Sequence, residues 1–198
     1  MARLAEAVDY TPGALYRYFG SKDSLLSQLV TRILEDLRVK LVEAEARLPT
    51  PATPLSRVFA LVQGYRGFAQ SQPQRFGLLA LTMADPRVLL QEDADAEPVI
   101  GMMIAALRPL AEALGAAEEA GLVDAGDVTE RTICLFALLQ GVLLLHKQAR
   151  YAPRLLDVER LAVRGTRGLL LGWGAKPRTV DAAIARVGEL PRRPGGDE

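Results

Sequence analysis

The dipeptide Thr11-Pro12 constrains this 198-residue chain more than any other feature. Thr is a good N-cap, and Pro suits the first helical position, where a missing N–H costs nothing. A helix therefore opens at Pro12 and is expected to run to about Tyr18, about 10 Å at 1.5 Å per residue. A DNA major groove admits an object of that size. At 3.6 residues per turn, Leu15 and Phe19 fall together as an inward stripe. Gly13, Ala14 and Arg17 fall opposite, with Tyr16 and Tyr18 on the flanks. Small residues, one Arg and two phenols are poor material for a core. They suit close approach to a duplex, where Arg reaches a guanine edge or a phosphate and Tyr a phosphate. Periodicity by itself equally allows an amphipathic hairpin at the start of a bundle.

Taken whole, the segment from Leu4 to Leu26 reads as a short helix, a tight turn, this second short helix and the start of a long third one, capped by Ser21. The run Leu4-Ala-x-Ala followed by Gly13-Ala-Leu-Tyr-Arg-Tyr-Phe-x-Ser-Lys-Asp-x-Leu-Leu26 resembles the helix-turn-helix signature of the TetR family of bacterial transcriptional regulators. Two positions depart: Asp9 stands where the family usually has the turn Gly, and Tyr10 where it usually has a small apolar residue. Asp tolerates left-handed backbone better than most residues, so the turn is expected to survive. In the family a further helix precedes the signature. This sequence opens at Met1 already inside the next helix, so it reads as N-terminally shortened. Leu4, Ala7, Leu15 and Phe19 would then lack the apolar cover the family gives them, and an uncovered Leu/Phe patch costs solubility. In-frame upstream codons are therefore expected to encode an amphipathic helix, with a misassigned start or natural loss left open.

The rest of the chain alternates apolar helical stripes with proline breaks. A long helix from Lys22 to about Arg47 carries Leu25, Leu26, Leu29, Val30, Ile33, Leu34, Leu37, Leu41 and Val42, and the Pro49–Pro54 stretch ends it. Further helices are expected at 54–72, 73–84 and 98–120, with room at 86–96 for a short helix followed by an acidic loop, and a kink or split at Pro109. The helix from Asp127 to about Arg150 is apolar nearly all round, and the next, Asp157 to about Trp173, is sprinkled with Gly165, Gly168 and Gly172. Small residues allow close backbone approach, so these two helices are expected to build a four-helix interface between two copies. The tail is rich in Arg, Pro and Gly, with room for a short helix at 179–189.

The expected fold class is all-α: a helix-turn-helix head plus an antiparallel helical ligand-binding and dimerisation domain. The divisions are residues 1–46, 47–174 and a C-terminal tail at 175–198. Chemistry is scarce. Charges balance at 24 against 24, and the first forty residues carry a surplus of only one positive charge, so this sequence is expected to bind DNA weakly. A single Cys, Cys134, excludes an intrachain disulfide, and with a single His, His146, no His/Cys zinc cluster is possible within a chain. Both are expected to be buried core or interface residues. No nucleophile–base pair, metal set or cofactor motif stands out, so no cofactor and no enzymatic activity are expected. There is no signal peptide and no apolar run that reads as membrane-spanning, which points to the cytoplasm.

The resemblance implies a ligand-responsive repressor, a homodimer through residues 127–150 and 157–173, released from a palindromic double-stranded DNA operator by a small apolar effector. Thr11, Pro12, Gly13, Ala14, Tyr16, Arg17, Tyr18 and Lys22 are the expected DNA contacts. The effector pocket it implies would draw on Phe59, Val62, Tyr65, Phe76, Leu79, Met83, Met103, Leu107, Phe136, Gln140 and Leu143. Plain hydrophobic core explains the same residues equally well. A second reading is a helical dimer without a competent DNA-binding head, acting as a small-molecule binder or a sequestering partner.

Overall fold

The computed structural model describes residues 11–84, 93–149, 151–152 and 154–188. The helix expected ahead of Thr11, the segment 85–92 and the last ten residues lie outside them. Among the described residues the structure is all-α. The helices are α1 Pro12–Phe19, α2 Lys22–Ala46, α3 Pro54–Ser71, α4 Pro73–Ala84, α5 Asp93–Glu119, α6 Val128–Leu144, α7 His146–Ala149, α8 Val158–Gly172 and α9 Pro177–Gly188.

Their starts are written locally. Pro opens α1, α3, α4 and α9, where its fixed φ suits the first turn. Thr53 caps α3 in a reciprocal box: Ser56 N–H donates to Thr53 Oγ1 at 3.2 Å and Thr53 N–H donates to Ser56 Oγ at 3.0 Å. Asp127 accepts from Thr129 and Glu130 N–H at the head of α6, and Asp157 accepts from Arg160 N–H at the head of α8. Such caps are each worth about 1 kcal/mol.

Three boundaries differ from the sequence reading. The helix expected at Pro98 begins at Asp93, so the acidic stretch supplies a first turn with Asp93 and Asp95 rather than a loop; acids are favoured at that positive end. The same helix continues unbroken through Pro109, whose ring is buried. The helix expected to reach Arg150 stops at Leu144. Leu145 N–H turns back to Val142 O at 3.1 Å, a tightened last turn, and the four-residue α7 follows.

The chain divides into two compact units. The first takes the described residues within 1–38 and 73–106; the second takes those within 39–72 and 107–198. In the first, Val30, Ile33, Leu34 and Leu37 are buried on α2, and Phe76, Leu79 and Ala80 on α4. Ser27 Oγ donates to Asp95 O at 2.6 Å, and Arg75 pairs with Asp36. These bonds tie α2 to α5 and to α4.

In the second unit α3 packs on α9, α8 and α6, and α6 on α8. Leu55, Val58, Phe68, Leu114, Leu135, Leu170 and Val180 are shut off from solvent. Two glycines set close crossings. A Cβ on Gly64 would stand 2.7 Å from Ala44 Cβ, and one on Gly165 would stand 2.8 Å from Leu138 Cδ2. The short helix expected in the tail is α9; it buries Val180, Ala183 and Val187 at helical spacing, and Arg186 donates to Pro49 O and Pro51 O at 3.0 and 2.6 Å.

By length and composition α5 would suffice to cross a membrane, which corrects the expectation that no apolar run is long enough. It buries the stripe Ala106, Leu110, Ala113, Leu114 and Ala117, whose 3–4 spacing is that of a helix packed on one side.

Candidate functional site

The head is built on α1. Gly20 takes φ of +65° between α1 and α2, a left-handed turn that costs glycine nothing. Ser21 Oγ then accepts from Ser24 N–H at 2.9 Å and opens α2. This short hinge leaves α1 presenting Gly13, Arg17 and Tyr18 to solvent, with Tyr18 71% exposed, while Phe19 is half-buried. Thr11 and Lys22 are exposed at the two ends. Pro12, Ala14 and Tyr16 lie on the same helix, but their side chains are outside the described residues. The exposed set is a small residue, a phenol and cations, so a polyanion approaching it meets donors and little bulk.

A second exposed face lies on α6. Ile133, Cys134, Ala137, Gly141 and Leu144 are all exposed, Ile133 at 56%. The spacing 134–137–141–144 is that of one helix side, so the helix that reads as apolar all round is buried on one side only. Cys134 is therefore exposed rather than a core residue. On α8 the glycines divide: Gly165 is used against Leu138 of the same chain, while Gly168 and Gly172 face solvent. His146 is exposed at the start of α7, away from the core position its apolar surroundings suggest.

The third feature is a polar pair in the core of the second unit. The Tyr65 hydroxyl on α3 donates to the Gln140 side-chain carbonyl on α6, with Tyr65 3% and Gln140 7% exposed. The Tyr65 and Phe136 rings meet at 5.9 Å in a tilted arrangement. Burial pushes the Tyr65 phenol well above its ordinary pKa, so the group is neutral. Phe59, Val62 and Leu143 are buried on the same two helices. Of the other residues expected to line a pocket, Leu107 belongs to this unit and is half-buried. Phe76, Leu79, Met83 and Met103 belong to the first unit: Phe76 and Leu79 are buried, Met103 is half-buried and Met83 is exposed.

Sequence reasoning missed one cluster. The Arg131 guanidinium, buried at the head of α6, lies 5.5 Å over the Trp173 ring and pairs with Glu118 at 3.3 Å. Glu118 also accepts from Gly126 N–H at 3.3 Å, and a Cβ on Gly126 would collide with the guanidinium. Asp124 N–H donates to Trp173 O at 2.8 Å. One cation thus fastens the ends of α5, α6 and α8. Its signal in the sequence is faint: an Arg at the start of a long uncharged run, and the chain's single Trp.

Known proteins share this architecture. The family model described as "Bacterial regulatory proteins, tetR family" matches residues 1–29, and "Tetracyclin repressor-like, C-terminal domain" matches residues 58–169. A search of curated proteins found no match. Among solved structures, a protein of unknown function from Rhodococcus sp. RHA1 aligns at a TM-score of 0.65 and 20% identity, covering 88% of this chain and 84% of that one. The TetR family transcriptional regulator PfmR from Thermus thermophilus aligns at 0.62 and 17% identity, covering 85% and 86%. At those identities the structures speak for the fold, while the second family model spans more than half of the sequence. The chain is a DNA-binding transcriptional regulator, not an enzyme, and belongs to the TetR family.

Proposed function

We propose that this regulator is a ligand-responsive repressor that acts in the cytoplasm as a homodimer on a palindromic operator. The observation that carries the DNA side is the outward face of α1, with Gly13, Arg17 and Tyr18 exposed and Lys22 beside them. Thr11, Pro12, Ala14 and Tyr16 complete the proposed DNA-contacting set. Two such helices in a two-fold dimer would enter successive major grooves about 34–36 Å apart. The exposed apolar side of α6, with Gly168 and Gly172 of α8, supports a second copy as the partner, because a face of this chemistry is poorly spent on water.

The effector site we assign to the α3–α6 core around Tyr65, with Phe59, Val62, Phe136, Gln140 and Leu143. An effector would favour a dimer state with the wrong half-site spacing, which requires different affinity for the two states. Selection of bound DNA from a random pool tests the reading. Enrichment of a two-fold symmetric site with half-site centres about 10 base pairs apart is expected; a pool that stays random would overturn it.

A further inference from the structure

Charge is spread unevenly along the exposed face of α6 and α8. The two helices pack together and run antiparallel: Arg131 lies over Trp173 at one end, and Gly165 crosses Leu138 further along. Numbers that rise on α6 therefore fall on α8. Four-residue spacing sets Arg160, Arg164, Gly168 and Gly172 on one side of α8, and all four are exposed. In this register Gly172 stands within a turn of Glu130, Arg164 is level with Leu139, and Arg160 is level with Leu144. The face thus carries an acid at one end, small and apolar residues in the middle, and arginines toward the other end.

Two of these charges are available. Among the described residues neither the Glu130 carboxylate nor the Arg164 guanidinium has a hydrogen bond or ion pair. By contrast Asp127 caps α6, and Arg160 donates to Arg154 O at 2.7 Å and lies 3.9 Å from Asp157. A two-fold contact between two such faces has two simple orientations. With the axis along the helices, equal levels meet, so Glu130 approaches Glu130 and Arg164 approaches Arg164. With the axis across the helices the levels reverse. Ala137 then meets its own counterpart, and Ile133 falls on Gly141, a large residue against a gap. The acid end of each copy also comes to the basic end of the other. Arg164 stops about one helical turn short of the opposite Glu130, and its side chain leans toward its own helix N-terminus, which closes that gap. Opposite charges across a contact fix register, and like charges oppose it.

We propose that two copies meet with α6 antiparallel to α6 about Ala137, and that Glu130 of each pairs with the partner's Arg164. The two pairs make the face complementary to itself. It therefore selects a second copy of this chain over another helical regulator that lacks either charge. This rests on the homodimer through α6 and α8 proposed above.

Sedimentation velocity of the full chain at low salt, over a dilution series, reads the pairing. Glu130→Arg and Arg164→Glu are each expected to weaken dimerisation by on the order of tenfold, because either reversal turns two attractions into two repulsions. The double reversal should restore most of the affinity, which a merely structural role for either residue would not do. Glu130→Gln, a gentler change, should weaken the dimer by a smaller factor. Tightening by Glu130→Gln would set like charges against each other and overturn the arrangement. Single reversals that leave affinity unchanged, or a double reversal no better than the singles, would also overturn the pairing while leaving the homodimer in place. A wild-type chain that stays monomeric throughout the series would overturn the homodimer itself, and the pairing with it.

Discussion

Two exposed helix faces in this molecule carry opposite chemistry. On α1 the exposed residues include Gly13, Arg17 and Tyr18; on α6 they include Ile133, Ala137, Gly141 and Leu144. Phe19 of α1 is half-buried and α6 buries one side, so amphipathicity alone does not tell them apart. What differs is the exposed side. A polar, basic face of small residues gains from a polyanion, because each phosphate neutralised releases counterions. An apolar face gains from leaving water, at roughly 25 cal/mol per Å². On the proposed reading, the same chain offers one surface to nucleic acid and another to a second copy.

The largest effect should come from the apolar face. Ala137→Glu places a charge where a second copy is proposed to sit, and an unpaired charge in an apolar contact is strongly disfavoured. The dimer is expected to dissociate in sedimentation velocity, with operator affinity falling by about a hundredfold as the two half-sites cease to be bound together. A dimer that persists would detach α6 from the interface. On the other face, Arg17→Ala should weaken operator binding by about tenfold in fluorescence anisotropy and leave sedimentation unchanged. Loss of dimer in that variant would show that the two faces are not independent.

Smaller effects sharpen the division within α8. Gly165→Leu drives a side chain into Leu138 of the same chain and should lower stability by about 1–3 kcal/mol in denaturant melts. A Cβ on Gly168 meets nothing within 4 Å; Gly168→Leu should leave the melt nearly unchanged and act on dimer affinity. Asp127→Ala removes the α6 cap and should cost about 1 kcal/mol by the same melt, with neither face affected.

How legible these features were follows from where their causes lie. The head was readable because its signals are local: Thr11-Pro12, the inward Phe19 and the cap at Ser21 all act within a few residues. The starts of α3, α4, α6 and α8 were readable for the same reason. The start of α5 was not, since Asp93, Asp95 and Glu97 read equally as a solvated loop or as a first turn, and Ser27 of another helix reaches Asp95 O. Exposure on α6 was not readable either. Ile133 and Leu135 are both apolar, and only the positions of α3 and α8 decide which of them is covered. The partnership of Tyr65 with Gln140 spans 75 residues, a distance over which sequence spacing carries no information. The residues expected around the pocket are divided by the compact units: Tyr65, Phe136 and Gln140 fall in one, Phe76 and Met103 in the other.

The contrast between the faces is tested most directly by photocrosslinking. Benzoylphenylalanine in place of Tyr18 in one protein, and in place of Ile133 in another, would be irradiated in the presence of selected operator DNA. The expected result is a protein–DNA adduct from position 18 and a protein–protein adduct from position 133. Protein–protein adducts from position 18, or DNA adducts from position 133, would contradict it.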